Sequence, residues 1–131
     1  MRRLLFISVL LLSAACSRNR AITSQVASNM PAPDARTCTA RQLETLGYTI
    51  VENKNSTGAV EGVRAAVPSD GVSDRIDVVI QPNRPDMVNV GSPDNAMTIT
   101  VHTLNAGGHD VPPSARVKAD GASVSATCSR Q

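Results

Sequence analysis

Two histidines are the side chains of this sequence best suited to catalysis or metal binding, because imidazole exchanges protons and binds metals near neutral pH. His102 and His109 lie close to Asp110 and Ser114, a composition that a hydrolase triad requires. No Gly-x-Ser-x-Gly turn marks a nucleophile, and no spacing matches a known metal-ligand motif. We therefore predict no catalytic residues, no metal and no cofactor, and we expect that the protein is not an enzyme.

A group of aspartates, Asp70, Asp74 and Asp77, raises the possibility of a calcium loop. Such a loop places carboxylates at alternate positions, with a glycine in the middle and a closing glutamate. The spacing here is different, so we expect a solvated turn. Residues 55–57, Asn-Ser-Thr, form a glycosylation sequon, but we interpret them as a turn as well.

The charge balance and the scarcity of aromatic residues argue against a nucleic-acid partner. The chain has 131 residues, with 13 basic and 11 acidic side chains, and Arg2 and Arg3 account for the excess. The sequence contains no tryptophan, and Phe6 and Tyr48 are the only aromatics. Stacking platforms for bases are therefore absent. The length allows one small domain.

The N-terminus has the three parts of a secretory signal peptide. Arg2 and Arg3 supply positive charge, and residues 4–12 are an apolar run interrupted only by Ser8, too short to span a bilayer. Ser13, Ala14 and Ala15 are small residues suited to cleavage. We predict a signal peptide over residues 1–15.

Residues 12–16, Leu-Ser-Ala-Ala-Cys, resemble the lipobox of bacterial lipoproteins. The resemblance implies that Cys16 is thioether-linked to diacylglycerol and becomes the mature N-terminus. The family usually has leucine three residues before the cysteine, where this chain has Ser13. The alternative is a soluble secreted protein in which Cys16 is not lipidated.

The lipoprotein resemblance also predicts a location. In some bacteria an aspartate after the lipidated cysteine retains the protein at the inner membrane, and this chain has Ser17 there. We therefore expect an anchor in the cell envelope, at the periplasmic face of the outer membrane rather than at the inner membrane. The expected partners are membrane lipid through Cys16 and an envelope protein.

The three cysteines favour a disulfide between Cys38 and Cys128. An odd thiol is uncommon in an exported protein, and lipid on Cys16 leaves these two as one pair. Two free buried thiols or a metal-binding pair are the alternatives. We predict a lipidated N-terminus and flexible tether over residues 16–37, and a disulfide-closed domain over residues 38–131.

The domain is predicted to be α+β, a small antiparallel four-stranded sheet with an N-terminal and a C-terminal helix on one face. Thr39 and Gln42 form a capping box that would begin the first helix, and Gly47 would end it. The apolar alternation predicts strands over residues 48–53, 59–67, 75–81 and 97–104, with a short edge strand over 87–90. The second strand would present Val63, Ala65 and Val67 on one face. Helical spacing over residues 114–128 predicts the last helix, with a strand as the alternative because of Gly121.

The entry into the first strand, Leu-Gly-Tyr-Thr-Ile-Val-Glu over residues 46–52, supports a second resemblance. Together with the element order, it is similar to small lipoproteins whose domain is of the type found in the C component of the outer-membrane barrel-assembly complex. The resemblance concerns architecture only and carries no diagnostic motif.

A proline-punctuated loop between the last two long strands is the predicted contact surface, since long loops in small domains often bind partners. The candidate partner-binding residues are Pro82, Asn83, Arg84, Pro85, Asp86 and Met87. We predict a membrane-anchored, non-catalytic accessory or interaction module of the cell envelope. The alternative is a periplasmic small-ligand-binding protein that uses the groove between sheet and helices.

Overall fold

A computed structural model describes residues 21–54, 59–64, 71–82 and 95–129. These residues form an α+β fold with two helices and an antiparallel sheet, which confirms the predicted class. The elements in chain order are β1 (Ile22–Ser28), α1 (Ala32–Thr45), β2 (Thr49–Lys54), β3 (Ala59–Arg64), β4 (Ser73–Pro82), β5 (Asn95–Leu104), β6 (Asp110–Val111) and α2 (Ala115–Cys128). The edge strand predicted over residues 87–90 lies outside the described residues.

The sheet has six strands in its described part, so the prediction of four is wrong. The predicted meander exists as β2-β3-β4-β5, and all its pairings are antiparallel. Two further strands, β1 and β6, pair with the edge of β5 that faces away from β4. β1 pairs with one half of that edge, from Ile22 opposite Val101, and the short β6 pairs with the other half, from Thr103 opposite Val111.

Part of the predicted tether is a strand. The sequence predicts an irregular segment over residues 17–36, whereas residues 22–28 form β1 and α1 begins at Ala32. Most side chains of β1 are exposed, because it lies at the sheet edge, and its apolar pattern is correspondingly weak. Its backbone hydrogen bonds to β5 hold it in the fold. The linker between Cys16 and the domain is therefore much shorter than predicted.

The first helix begins earlier than the capping box indicates. Thr39 is fully buried inside α1, and its hydroxyl donates to the carbonyl of Ala35 at 2.7 Å. Pro33 instead occupies the first turn, where the missing amide hydrogen costs nothing. The predicted end is confirmed, since Gly47 adopts a φ of +89° just after the helix.

The last segment is a helix, which decides between the two alternatives. Ser114 caps it by accepting from the amide of Val117 at 3.0 Å, a contact that contributes about 1 kcal/mol. Gly121 faces the sheet, and a Cβ atom there would lie only 2.6 Å from Val101 Cγ1. The glycine that weakens the isolated helix therefore permits close packing of α2 on β5.

Both helices pack on the same face of the sheet. Gly62, Ile76 and Val101 lie side by side in the strand register, and Leu43 of α1 and Gly121 of α2 contact the two ends of this row. The predicted inward faces of β4 and β5 are confirmed. The buried apolar residues are Ala35, Leu43, Tyr48, Val60, Ile76, Val78, Ile80, Met97, Ile99, Val101, Val117, Val124 and Cys128.

The face of β3 that packs in the core is not the one with the predicted apolar residues. Val60 and Gly62 are buried, while Val63 is half-buried on the opposite face. Arg64 shares the core-facing side, where carboxylates neutralise its charge. Ala65 and Val67 lie outside the described residues. Among the described residues, no helix is long and apolar enough to span a membrane.

Candidate functional site

Two of the three cysteines form the disulfide that the sequence predicts. Cys38, in α1, and Cys128, the last residue of α2, form a disulfide with a Cα–Cα distance of 5.6 Å. Cys128 is fully buried. Cys16 lies outside the described residues, so its lipidation stays a prediction.

The candidate partner-binding loop falls mostly outside the described residues. Pro82 ends β4 and is exposed, and β5 begins at Asn95. Asn83, Arg84, Pro85, Asp86 and Met87 are not among the residues described. Their proposed role stays a prediction.

His102 belongs to an outer charged row on the sheet face opposite the helices. We define this row as Glu61, Arg75, Asp77, His102 and Asp110. Arg75 lies 3.2 Å from Glu61 and 3.1 Å from Asp77. His102 Nε2 lies 3.2 Å from Asp77, and His102 Nδ1 lies 3.0 Å from Asp110. Both ring nitrogens of His102 therefore face carboxylates rather than open space.

The structure does not assemble a triad from His102, Asp110 and Ser114. His102 and Asp110 are in contact, but the Ser114 hydroxyl donates to Asp74 on the other side of the sheet at 3.0 Å. The same hydroxyl caps α2. Ser114 is thus held in a structural role, and His109 is exposed in the turn before β6.

The acidic residues do not form a calcium loop. Asp74 points into the core, whereas Asp77, three residues later, lies on the opposite face of β4. Asp70 and the sequon at residues 55–57 lie outside the described part of the chain. Within that part, no three histidine, cysteine or acidic side chains are placed to hold a metal ion.

A buried polar cluster joins α2 to the core-facing side of the sheet, and sequence reasoning missed it. Its members are Tyr48, Arg64, Asp74, Thr103, Ser114 and Asp120. Arg64, Asp74 and Thr103 occupy adjacent positions on three neighbouring strands. Both aspartates are only 9% exposed. Burial of unpaired charge is costly, and the hydrogen bonds and ion pairs among these groups offset that cost.

Arg64 is the single cation between the two carboxylates. Its guanidinium donates to Asp74 and, at 2.9 Å, to Asp120, and it stacks 4.8 Å from the centre of the Tyr48 ring. Arg116 approaches Asp120 only at 3.9 Å from the exposed side. The Tyr48 hydroxyl donates to Asp120 at 2.8 Å. The arrangement fixes α2 against β3 and β4 and leaves no free nucleophile.

Tyr48 makes stability sensitive to alkaline pH. Burial of the ring, reinforced by the hydrogen bond to Asp120, raises the pKa of the Tyr48 phenol above its ordinary value. The unfolded chain loses this proton near pH 10 and the folded chain retains it. The free energy of unfolding should therefore fall as pH rises above about 10, by up to about 1.4 kcal/mol per pH unit.

The test is a spectrophotometric titration, since Tyr48 is the only tyrosine and tryptophan is absent. Phenolate absorbance should appear together with unfolding and not before it. A Tyr48→Phe variant should lose this alkaline fall in stability while being less stable at neutral pH. Ionisation of folded protein with a midpoint near pH 10 would contradict the prediction.

An apolar groove lies between β1 and α2. The β1–α2 groove has a volume of about 420 Å³, within the range of small-molecule sites. Its lining includes Ile22, Ile99, Val101, Lys118, Ala122 and Ala126. Ile99 and Val101 form a buried apolar floor, and Ile22 is 47% exposed on one wall. Lys118 supplies the one charged side chain of the lining.

Sequence reasoning missed this groove because it assigned β1 to the tether. A weak signal was present, since Ile22, Ser24 and Val26 alternate with Thr23 and Gln25 in the manner of an edge strand. For the buried polar cluster no comparable signal exists, because its members are distant in sequence. No family model matches the chain, and no curated protein matches its sequence.

Proposed function

We propose that the protein is a bacterial lipoprotein anchored through Cys16, and that it serves as a non-catalytic accessory or interaction module of the cell envelope. One observation carries the proposal. The disulfide uses Cys38 and Cys128, and Cys16 is the only cysteine left. It directly follows the small residues of the leader, in the position that the lipobox resemblance assigns to the acylated residue.

The described side chains support a non-catalytic role. Both ring nitrogens of His102 are engaged by carboxylates, and Ser114 caps a helix. A histidine that acts as a general base needs a ring nitrogen within reach of a substrate proton, and both ring nitrogens of His102 face carboxylates in this arrangement. On this proposal, an envelope protein would bind a surface such as the loop that begins at Pro82, which is exposed.

The position of β1 adds a constraint on the anchored domain. Only residues 17–21 separate Cys16 from Ile22, the first residue of β1. Six residue steps of extended chain span at most about 20 Å. The proposed anchor would therefore hold the domain close to the membrane surface, at the periplasmic face of the outer membrane. A partner protein would then bind the domain near the lipid headgroups of the membrane.

The proposal is tested by the intact mass of full-length protein extracted from membranes of an expressing bacterium. We expect a chain that starts at Cys16, carries added acyl mass, and alkylates at two thiols only after reduction. A Cys16→Ser variant should lose the acyl mass and leave the membrane fraction. An unlipidated chain with a thiol that alkylates without reduction would contradict the anchor and leave a soluble secreted protein.

A second candidate function is the binding of a small apolar ligand, and the β1–α2 groove favours it. The groove combines an apolar floor of Ile99 and Val101 with a single charged residue, Lys118. Ligand sites commonly have this composition of many apolar groups and few polar ones.

A further inference from the structure

The β1–α2 groove has the dimensions and lining of a site for a linear apolar chain. It runs along α2 from Lys118 to Ala126, a distance of about 12 Å at the helical rise. Ile99 and Val101 form its floor and are at most 5% exposed, while Ile22 forms a wall and remains half-exposed. An apolar occupant would remove the exposed part of Ile22 from water, which is favourable.

One end of the groove lies at Ile22, the first residue of β1. Ile22 pairs with Val101, and Val101 contacts Gly121. Lys118 lies almost one helical turn before Gly121, so Ile22 and Lys118 lie at the same end of the groove. The chain arrives at Ile22 from Cys16. Ser24 and Ala126 lie toward the other end, deeper along the groove.

The short linker brings a group on Cys16 within reach of this end. Six residue steps span at most about 20 Å when extended, and they end on a residue that itself lines the groove. A ligand tethered so closely is presented at an effective concentration in the millimolar range. Even a site with modest affinity for acyl chains is then occupied by the tethered one in preference to a dilute free ligand.

We propose that one acyl chain carried by Cys16 occupies the β1–α2 groove, with Lys118 beside the polar end of the lipid. This inference rests on the proposed acylation of Cys16. The acyl chain enters beside Ile22 and lies along Ala122 toward Ala126. The groove thereby holds the domain in one orientation relative to its own anchor.

The test compares the binding of radiolabelled palmitate to two forms of the full chain in the same detergent. One is the wild-type protein whose acylation has been verified by mass. The other is Cys16→Ser, which retains Ser13 and Ala15 for ordinary signal-peptide cleavage. We expect the Cys16→Ser protein to bind one palmitate, and the acylated protein to bind at least tenfold more weakly because its groove is filled.

A pair of substitutions in the Cys16→Ser protein locates the bound palmitate. Ala122 lines the groove, whereas Ala119 is also exposed on α2 but lies outside the lining. Ala122→Phe should weaken palmitate binding at least tenfold, and Ala119→Phe should change it less than twofold. Ile22→Ser removes one wall of the groove at an exposed edge position and should weaken palmitate binding as well. It replaces Ala122→Phe in the test if that variant fails to fold.

Each contrary result has a distinct meaning. Equal palmitate binding by the acylated and Cys16→Ser proteins overturns the proposal, because the groove would then be open beside an acylated Cys16. No binding by Cys16→Ser also overturns it, since the groove would not accept an acyl chain. In both cases the mass of the wild-type protein still supports the anchor. Absence of acyl mass removes the proposed function and this inference together.

Discussion

Removing the disulfide should lower the free energy of unfolding by about 4 to 5 kcal/mol, the largest change we expect from any local alteration. Cys38 and Cys128 are 90 positions apart, and a cross-link over that length removes much of the conformational entropy of the unfolded chain. A domain of this size has a total stability of about 5 to 15 kcal/mol. A Cys38→Ala/Cys128→Ala variant should therefore lose about a third or more of the total stability.

Denaturant titration with and without reductant measures the effect. Reduced wild-type protein and the double variant should show the same lowered stability, and the double variant should not respond to reductant. Cys16→Ser is the matched control, and it should keep the wild-type response to reduction. A loss below about 1 kcal/mol on reduction would contradict the prediction, because a closed loop of this length cannot contribute so little in the chain-entropy account.

Replacing Arg64 by methionine should cost about 3 to 5 kcal/mol. The substitution keeps an unbranched apolar stem but removes the cation that Asp74 and Asp120 share. Both carboxylates are nearly buried, and removal of one partner from a buried ion pair leaves uncompensated charge. Equilibrium unfolding at neutral pH gives the change in stability.

Arg75→Met is the matched control for Arg64→Met. Arg75 lies on β4, next to β3, and contacts two carboxylates on the open face of the sheet, but its side chain is 37% exposed. Exposed ion pairs contribute only about 0 to 1 kcal/mol. Equal losses of stability in the two variants would contradict the prediction, because the buried polar cluster would then contribute no more than the exposed ion pairs. The stability loss of Arg64→Lys should lie between those of Arg64→Met and Arg75→Met, because lysine keeps the positive charge but cannot bridge two carboxylates as a planar guanidinium does.

The central elements could be predicted because their signals are local. Met97, Ile99 and Val101 alternate with threonines, and Ile76, Val78 and Ile80 recur at every second position, a period typical of strands with one buried face. The helical spacing of the last segment favoured a helix, but Gly121 left a strand as the alternative. The disulfide was favoured by the cysteine count together with the lipobox resemblance, which assigns Cys16 to lipid and leaves Cys38 and Cys128 as one pair.

The errors fall where tertiary contacts override a local signal. The Thr39–Gln42 pattern is a plausible capping box, but Thr39 lies buried inside α1 and bonds to Ala35. Val63 gives β3 an apolar outer position, yet Gly62 is what allows Leu43 to approach the sheet. In each case packing against an element distant in sequence decides the outcome, and a local window does not contain that information.

The sequence by itself determined the α+β class and the meander of β2 to β5, because periodicity depends on neighbouring residues. It favoured the final helix and the pairing of Cys38 with Cys128, and left an alternative to each. Only the tertiary structure decided that β1 joins the sheet, that Arg64 bridges Asp74 and Asp120, and that a groove opens beside Ile22. These features arise from strand register and helix docking, which bring together residues far apart in the chain.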